Sequence, residues 1–477
     1  MSWLLSLALA LSLVPGMSLT ALADSEVSYQ EGSWSNNSVA YATKTAANPT
    51  TLASNTTAWA DGNWYVVPAG GVEISTRITV TGTANLILTD GNKLTASKGI
   101  TVAGDNTLNI FAQSEGNNAG ELLINNVDSS FAGIGGISYA ANNMKSSNGG
   151  SVNIHGGKIN IAGVSGAAGI GGGFKANGGT VTIYGGAVTA TGGDGGAGIG
   201  GGKLYEGIGG NGGTVTIYGG TVTAKGDNYG GTGIGVSCDN NGNSGNAGTV
   251  IINGGTVTAT GGYSSAGICS GTGEVIINGG TVSATGGDGG AGIGGGAGSN
   301  GGIVTINGGT VTATGGNGGA GIGSGRLDRG NDSSGIGGSV TINGGTVTAT
   351  GGAESCMGIG GVRRRDERSR EPLPPKNGSL SVGSGLKVYG GSSENPTTEL
   401  TQFSTIYSDD YAETTVYRYM IVSAPLHEHS FTYSVNGDTI TATCGADDCT
   451  LLFGSGENRQ ITSGENNQFW VGRKSPQ

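Results

Sequence analysis

The sequence predicts an all-β fold, a right-handed parallel β-helix with an N-terminal cap and small C-terminal β modules. Three observations carry this. A unit of two short alternating strands and a Gly-rich bend recurs through the middle of the chain. Each unit returns the same apolar residues to the same positions. Finally, 102 of the 477 residues are glycine, about 21%, where an ordinary protein has roughly 7%.

The unit is clearest in Thr180-Val181-Thr182-Ile183-Tyr184-Gly185-Gly186, followed by Ala187-Val188-Thr189-Ala190-Thr191, a bend, and Ala197-Gly198-Ile199-Gly200. Units begin near Ser151, Thr180, Thr214, Thr249, Glu274, Ile303 and Ser339, about 25 to 36 residues apart, a spacing expected of solenoids. Successive strand residues point to opposite faces. Pairs such as Val181 and Ile183, or Val250 and Ile252, therefore face inward as one column. Val222 with Ala224, and Val311 with Ala313, supply a second column. Ile134, Ile170, Ile199, Ile234, Ile268, Ile293, Ile322 and Ile359, each after a glycine, supply a third. The glycine pair after each first strand suits a sharp corner, because glycine reaches positive φ without a Cβ clash. Asn253, Asn278, Asn307 and Asn343 precede four of these pairs and would stack as an amide ladder.

The flanking segments follow in order. Residues 1–23 are uncharged, Leu-rich and end Ala21-Leu22-Ala23, the pattern of a signal peptide. Pro15-Gly16 interrupts the apolar run, which leaves it too short for a transmembrane span. Residues 24–71 hold Trp34, Trp59, Trp64 and Tyr65, and read as an aromatic cap over the open first coil. Residues 72–361 are the helix. Residues 362–376 are basic and Pro-rich and break the pattern, as a basic arm, a solvated linker or a reading-frame error. Residues 377–425 resume alternation and close the helix. Residues 426–452 form a small His/Cys module, and 453–477 a tail.

Composition removes several classes. Nine prolines and no Gly-X-Y period exclude collagen, and a net charge of -11 is modest for this length. An acidic balance, pI near 4.8, argues against a nucleic-acid partner, because phosphate binding needs clustered Lys and Arg. Five cysteines are an odd number, so a complete disulfide framework is not the stabilising device.

The strings Gly-Gly-Thr-Val-Thr-Ala-Thr-Gly-Gly (254–262, 308–316, 344–352) and Gly-Ala-Gly-Ile-Gly-Gly-Gly (196–202, 290–296) resemble the Gly-rich repeats of exported surface proteins from Gram-positive anaerobic bacteria. His427-Glu428-His429-Ser430-Phe431-Thr432-Tyr433, with Cys444 and Cys449 beyond it, is similar to a short module often placed after such repeats. The resemblance covers residues 71–451. It implies secretion or a cell-surface location, with adhesion or carbohydrate binding as the role and a glycan or a host or cell-wall surface as the partner.

Three functions compete. The first is a non-catalytic adhesin or glycan binder: Tyr184 and Tyr218 occupy the same place in successive coils, about 5 Å apart if stacked as strands, and form a sugar-ring platform or plain corner packing. The second is a polysaccharide lyase or glycoside hydrolase, which needs converging carboxylates or a base with calcium. The acids Asp194, Glu206, Asp227, Asp239, Glu274, Asp288, Asp328, Asp332 and Glu354 are scattered. The third is an ice-binding-like Thr array from positions such as Thr256, Thr258, Thr310 and Thr312, interrupted by Lys225 and Ser283. No catalytic residue is assigned, and no cofactor beyond one metal. His427, His429, Cys444 and Cys449 are candidate zinc ligands, with Phe431 to Thr443 as a hairpin turning at Asn436-Gly437. A Cys444–Cys449 disulfide and free thiols beside solvated histidines are the alternatives.

Overall fold

The computed structural model describes residues 26–125, 127, 130–138, 147–203, 210–227, 229–236, 248–269, 271, 273–326, 336–353, 356–362, 364–365, 372–373, 378–400, 417–424, 431–436 and 439–444. The chain divides into two compact units, residues 1–423 and 424–477.

In the first unit the backbone winds through three parallel sheets in turn. One coil runs Thr180–Ile183 in the first sheet, Ala187–Thr191 in the second and Ile199–Gly200 in the third. The next coil repeats this with Thr214–Ile217, Thr221–Lys225 and Ile234–Gly235. Register is kept residue for residue: Val181 lies beside Val215, Val188 beside Val222 and Ile199 beside Ile234. This is a parallel β-helix, and the unit starts read from the sequence are the first residues of its first-sheet strands.

The inward columns are buried as the alternation requires. Val181, Ile183, Val188, Ala190 and Ile199 belong to one continuous apolar cluster that runs from Leu52 to Val422. Its coils therefore stabilise one another by nearest-neighbour burial. The second glycine of each corner pair has positive φ, 83° at Gly186 and 81° at Gly255, so a side chain there would be strained.

The parallel ladder starts earlier than residue 72. Thr50–Thr51 pairs in parallel with Trp64–Val66, which pairs with Thr83–Leu88. Trp59 is buried in the third-sheet layer and stacks on Tyr65 at 5.0 Å. Of the aromatics that read as a cap, Trp59 and Tyr65 thus plug the first coils from inside, while Trp64 packs with Tyr29 and Phe111 outside the core. Residues 26–47 form a long hairpin outside the parallel ladder, joined to it antiparallel at Gln30 and Ala112.

At the other end the first sheet gains Ser379–Val382 in parallel. The second sheet turns antiparallel: Tyr419–Ser423 pairs with Thr346–Thr350 and then with Lys387–Gly391. Met420 is buried against the last coil. This reversal covers the edge of the last second-sheet strand, Thr346–Thr350; of the segment read as closing the helix, 378–400 and 417–424 are among the described residues. Within the basic segment, Arg364–Arg365 and Pro372–Leu373 form a short antiparallel pair.

In the second unit Phe431–Asn436 pairs with Thr439–Cys444 as an antiparallel hairpin. Asn436 lies opposite Thr439, so the connection is 437–438 and not Asn436-Gly437. Asn436 is held by the ladder as its last paired residue. No helix among the described residues is long and apolar enough to cross a membrane. Residues 1–23 and 453–477 lie outside the described residues.

Candidate functional site

The site is assembled by the hairpin that precedes the coils. Glu26–Ser35 and Ser38–Ala47 pair over their full lengths, and Asn36 and Asn37 make the turn with φ of 50° and 58°. Asparagine accepts this left-handed geometry better than most residues, and a two-residue turn of this hand matches strand twist. A two-stranded hairpin is marginal alone. This one packs Tyr29 and Ala46 against Val66, Ile87 and Phe111 on the outer side of the first sheet.

From there it follows the corner between the first and second sheets. The corner position of successive coils is Phe111, His155, Tyr184 and Tyr218, whose rings stack at 4.5, 4.7 and 5.1 Å with interplanar angles of 17°, 10° and 15°. The hairpin covers this column. His155 Nδ1 is 2.9 Å from the Gly32 carbonyl oxygen, and the Tyr41 hydroxyl donates to the Tyr184 carbonyl at 3.3 Å. Burial pulls the His155 imidazole below its ordinary value of 6.5, against the opposing pull of the Gly32 carbonyl and Glu31; Lys44 acts in the same direction as burial. A carbonyl oxygen only accepts, so Nδ1–H donates to Gly32. Burial likewise raises the Tyr184 phenol, with Tyr218 and Glu31 adding to it.

Where the hairpin ends, the corner residue changes from aromatic to amide. Asn253 follows Tyr218, then Asn278, Asn307 and Asn343. Each Nδ2 donates to the Oδ1 of the preceding coil: Asn278 to Asn253 at 2.7 Å, Asn307 to Asn278 at 2.7 Å and Asn343 to Asn307 at 2.8 Å. The expected ladder is therefore present. A second one, unforeseen, runs on the outer face of the first sheet through Asn85, Asn109 and Asn153 at 2.8 Å per step.

Between the hairpin turn and this corner lies a cleft of about 690 Å³, lined by Trp34, Asn37, Ser38, Val39, Tyr218, Asn253, Asn278 and the glycines after the two asparagines. The Trp34 ring lies 5.1 Å from that of Tyr218, tilted by 33°. Two half-buried aromatic rings beside amides and a hydroxyl offer an apolar face together with donors and acceptors. No carboxylate, imidazole or thiol lines the cleft. The hydroxyls of Ser38 and Tyr218 and the amides of Asn37, Asn253 and Asn278 are among its hydrogen-bonding side chains.

The two tyrosines singled out from the sequence do stack, at the spacing expected. They do not form a bare two-ring shelf, because Tyr41 and Gly32 lie over Tyr184. Tyr218 alone of the pair lines the cleft. Trp34, which read as cap packing, is its partner there. The change from Tyr218 to Asn253 at one position of the repeat was the available signal.

A second, shallower hollow of about 390 Å³ includes Asp194, Asp227, Lys225 and Thr191. Asp227 comes from the coil after Asp194, but its Oδ1 accepts from the backbone N–H groups of Gly195 and Tyr229, at 3.0 and 2.5 Å. That carboxylate holds a loop. Asp288 Oδ1 pairs with Arg326 Nη1 at 3.3 Å. The outward Thr ranks of the second sheet are in register, Thr256 beside Thr281 and Thr310 beside Thr346, with Lys225 and Ser283 standing in them. Of the candidate zinc ligands, His427, His429 and Cys449 lie outside the described residues, and Cys444 is opposite Phe431 in the hairpin. Among the described residues no three of His, Cys, Asp and Glu gather where a metal would be held.

Comparison with known families agrees with the architecture. Residues 152–174, 181–203, 215–235, 250–271, 275–297, 304–326 and 340–361 each match the beta helix repeat. No curated protein and no solved structure matches the chain. With three parallel sheets in coil-by-coil register and seven matched repeats, the chain is a β-helix repeat protein.

Proposed function

We propose that this is an exported, non-catalytic surface protein that binds carbohydrate through the cleft between the hairpin turn and the asparagine corner. The observation that carries this reading is the pairing of Trp34 and Tyr218 beside Asn253 and Asn278. Sugar rings present apolar C–H faces and a rim of hydroxyls. An aromatic pair accepts the first, and primary amides, each with donors and acceptors, accept the second. Export is supported by the uncharged Leu-rich stretch at 1–23, and a glycan or a host or cell-wall surface is the partner this location suggests.

A glycan array run with the purified protein, alongside reducing-sugar and unsaturated-product assays, tests the reading. Binding to a defined glycan class without product release is the expected outcome. Release of product would favour the lyase or hydrolase alternative, for which the hollow containing Asp194 and Asp227 is a local support among the described residues. An array without binding would remove the carbohydrate reading.

A further inference from the structure

We infer that the ligand is an uncharged, linear glycan lying along the solenoid axis, with its end at Trp34 and Tyr218 and further subsites at Asn307 and Asn343. This deepens the carbohydrate reading above and rests on it.

The argument starts from the amide ladder. A primary amide has two N–H donors and an oxygen with two lone pairs. Each step of the ladder takes one donor and one lone pair, which leaves an interior member with one of each. Asn278, Asn307 and Asn343 are exposed. The bonds all run the same way, so every coil presents an identically oriented amide. Coils are spaced as parallel strands, about 4.8 Å apart, a length comparable with one pyranose in an extended chain. A polymer of identical units can therefore repeat one contact at each coil, whereas a compact ligand would meet only one or two.

The strip also has room. Each asparagine is followed by two glycines, so no side chain rises beside the amides on that side of the corner. The cleft is open towards Asn278, and the column continues through Asn307 to Asn343 at the same register position. Charge selects the class of glycan. The four stretches 249–260, 274–285, 303–314 and 339–350, which carry the strip and both flanking strands, contain one charged residue, Glu274. An anionic polymer would find no cation there, and its own charge would lose hydration without a partner.

The test is a calorimetric series on the full-length protein. Neutral oligosaccharides of the glucan, xylan and mannan types are titrated from disaccharide to hexasaccharide, with oligogalacturonides of the same lengths as acidic probes. Affinity for one neutral type is expected to climb with length. Asn307→Ala combined with Asn343→Ala should flatten the climb, lowering hexasaccharide affinity by about tenfold more than disaccharide affinity, the loss expected for two exposed hydrogen bonds. Continued binding of the disaccharide by that variant shows that the cleft is folded. Neutral binding that does not depend on length, a climb untouched by the double substitution, or preference for the acidic series would overturn the inference while leaving the carbohydrate reading in place. Failure of every probe to bind the unaltered protein would overturn both.

Discussion

An Ile199→Asp protein is expected to lose several kcal/mol of stability, and with it the ordered middle of the solenoid. Ile199 is fully buried and lies in the third sheet between Ile170 and Ile234, one coil to either side. Around it the inward side chains of the other two sheets are Val and Ile with Ala, none of which can pair with a carboxylate. An unpaired buried charge costs about 3–5 kcal/mol even after relaxation and pKa adjustment. Coils in a solenoid depend on their neighbours, so the damage should spread from this coil in both directions. Thr258→Asp, at an exposed position of the second sheet, is the matched control and should change stability by no more than about 0.5 kcal/mol. Denaturant unfolding followed by β-sheet circular dichroism compares them. Equal midpoints for the two variants would contradict the burial of the third column.

The second large effect is expected from the smallest substitution. Gly200 has a φ of 137° and ends the third-sheet strand of its coil. A Cβ built there would be driven into the carbonyl oxygen of Gly235 in the next coil, which is backbone and cannot step aside. Gly200→Ala therefore combines backbone strain with a steric clash, and should destabilise by roughly 2–5 kcal/mol. The same column holds Gly171, Gly235, Gly294 and Gly323, but Cys269 at one level, where the side chain packs with Val236 and Ala266. Position 269 should accordingly accept alanine at a cost of less than about 2 kcal/mol, as a change of modest volume in a core. If Gly200→Ala unfolded at the same denaturant concentration as the unaltered protein, the close approach of the third-sheet strands would be wrong.

The solenoid was legible because its cause is periodic. Apolar residues return at the positions of Val181, Ile183, Val188, Ala190 and Ile199 in successive coils, and alternation says which strand residues face inward. The amide ladder was legible for the same reason, since Asn253, Asn278, Asn307 and Asn343 share one position. The cleft was not, because it joins residues with no shared period. Trp34 reaches Tyr218 only because the hairpin 26–47 runs beside the corner, held by the pairing of Gln30 with Ala112 and by His155 and Tyr41. The start of the ladder was also hidden. Thr50–Thr51 and Ala58–Trp59 are too short to show alternation, and their parallel pairing depends on later strands. At the C-terminus, Asn436-Gly437 carries a strong local turn preference, yet the ladder from Phe431 to Cys444 places the connection one residue further on.

The central claim, that the aromatic cleft is where the protein binds, is tested most directly by titrating the unaltered protein and Trp34→Ala with the neutral glycan that the array selects. Trp34 is half-buried at the mouth of the cleft and belongs to no part of the solenoid core, so its loss should leave the unfolding midpoint unchanged. Removing one face of the aromatic pair is expected to weaken binding by about tenfold, equivalent to about 1.4 kcal/mol. Equal affinities for the two proteins would contradict the account and move the binding surface elsewhere on the helix.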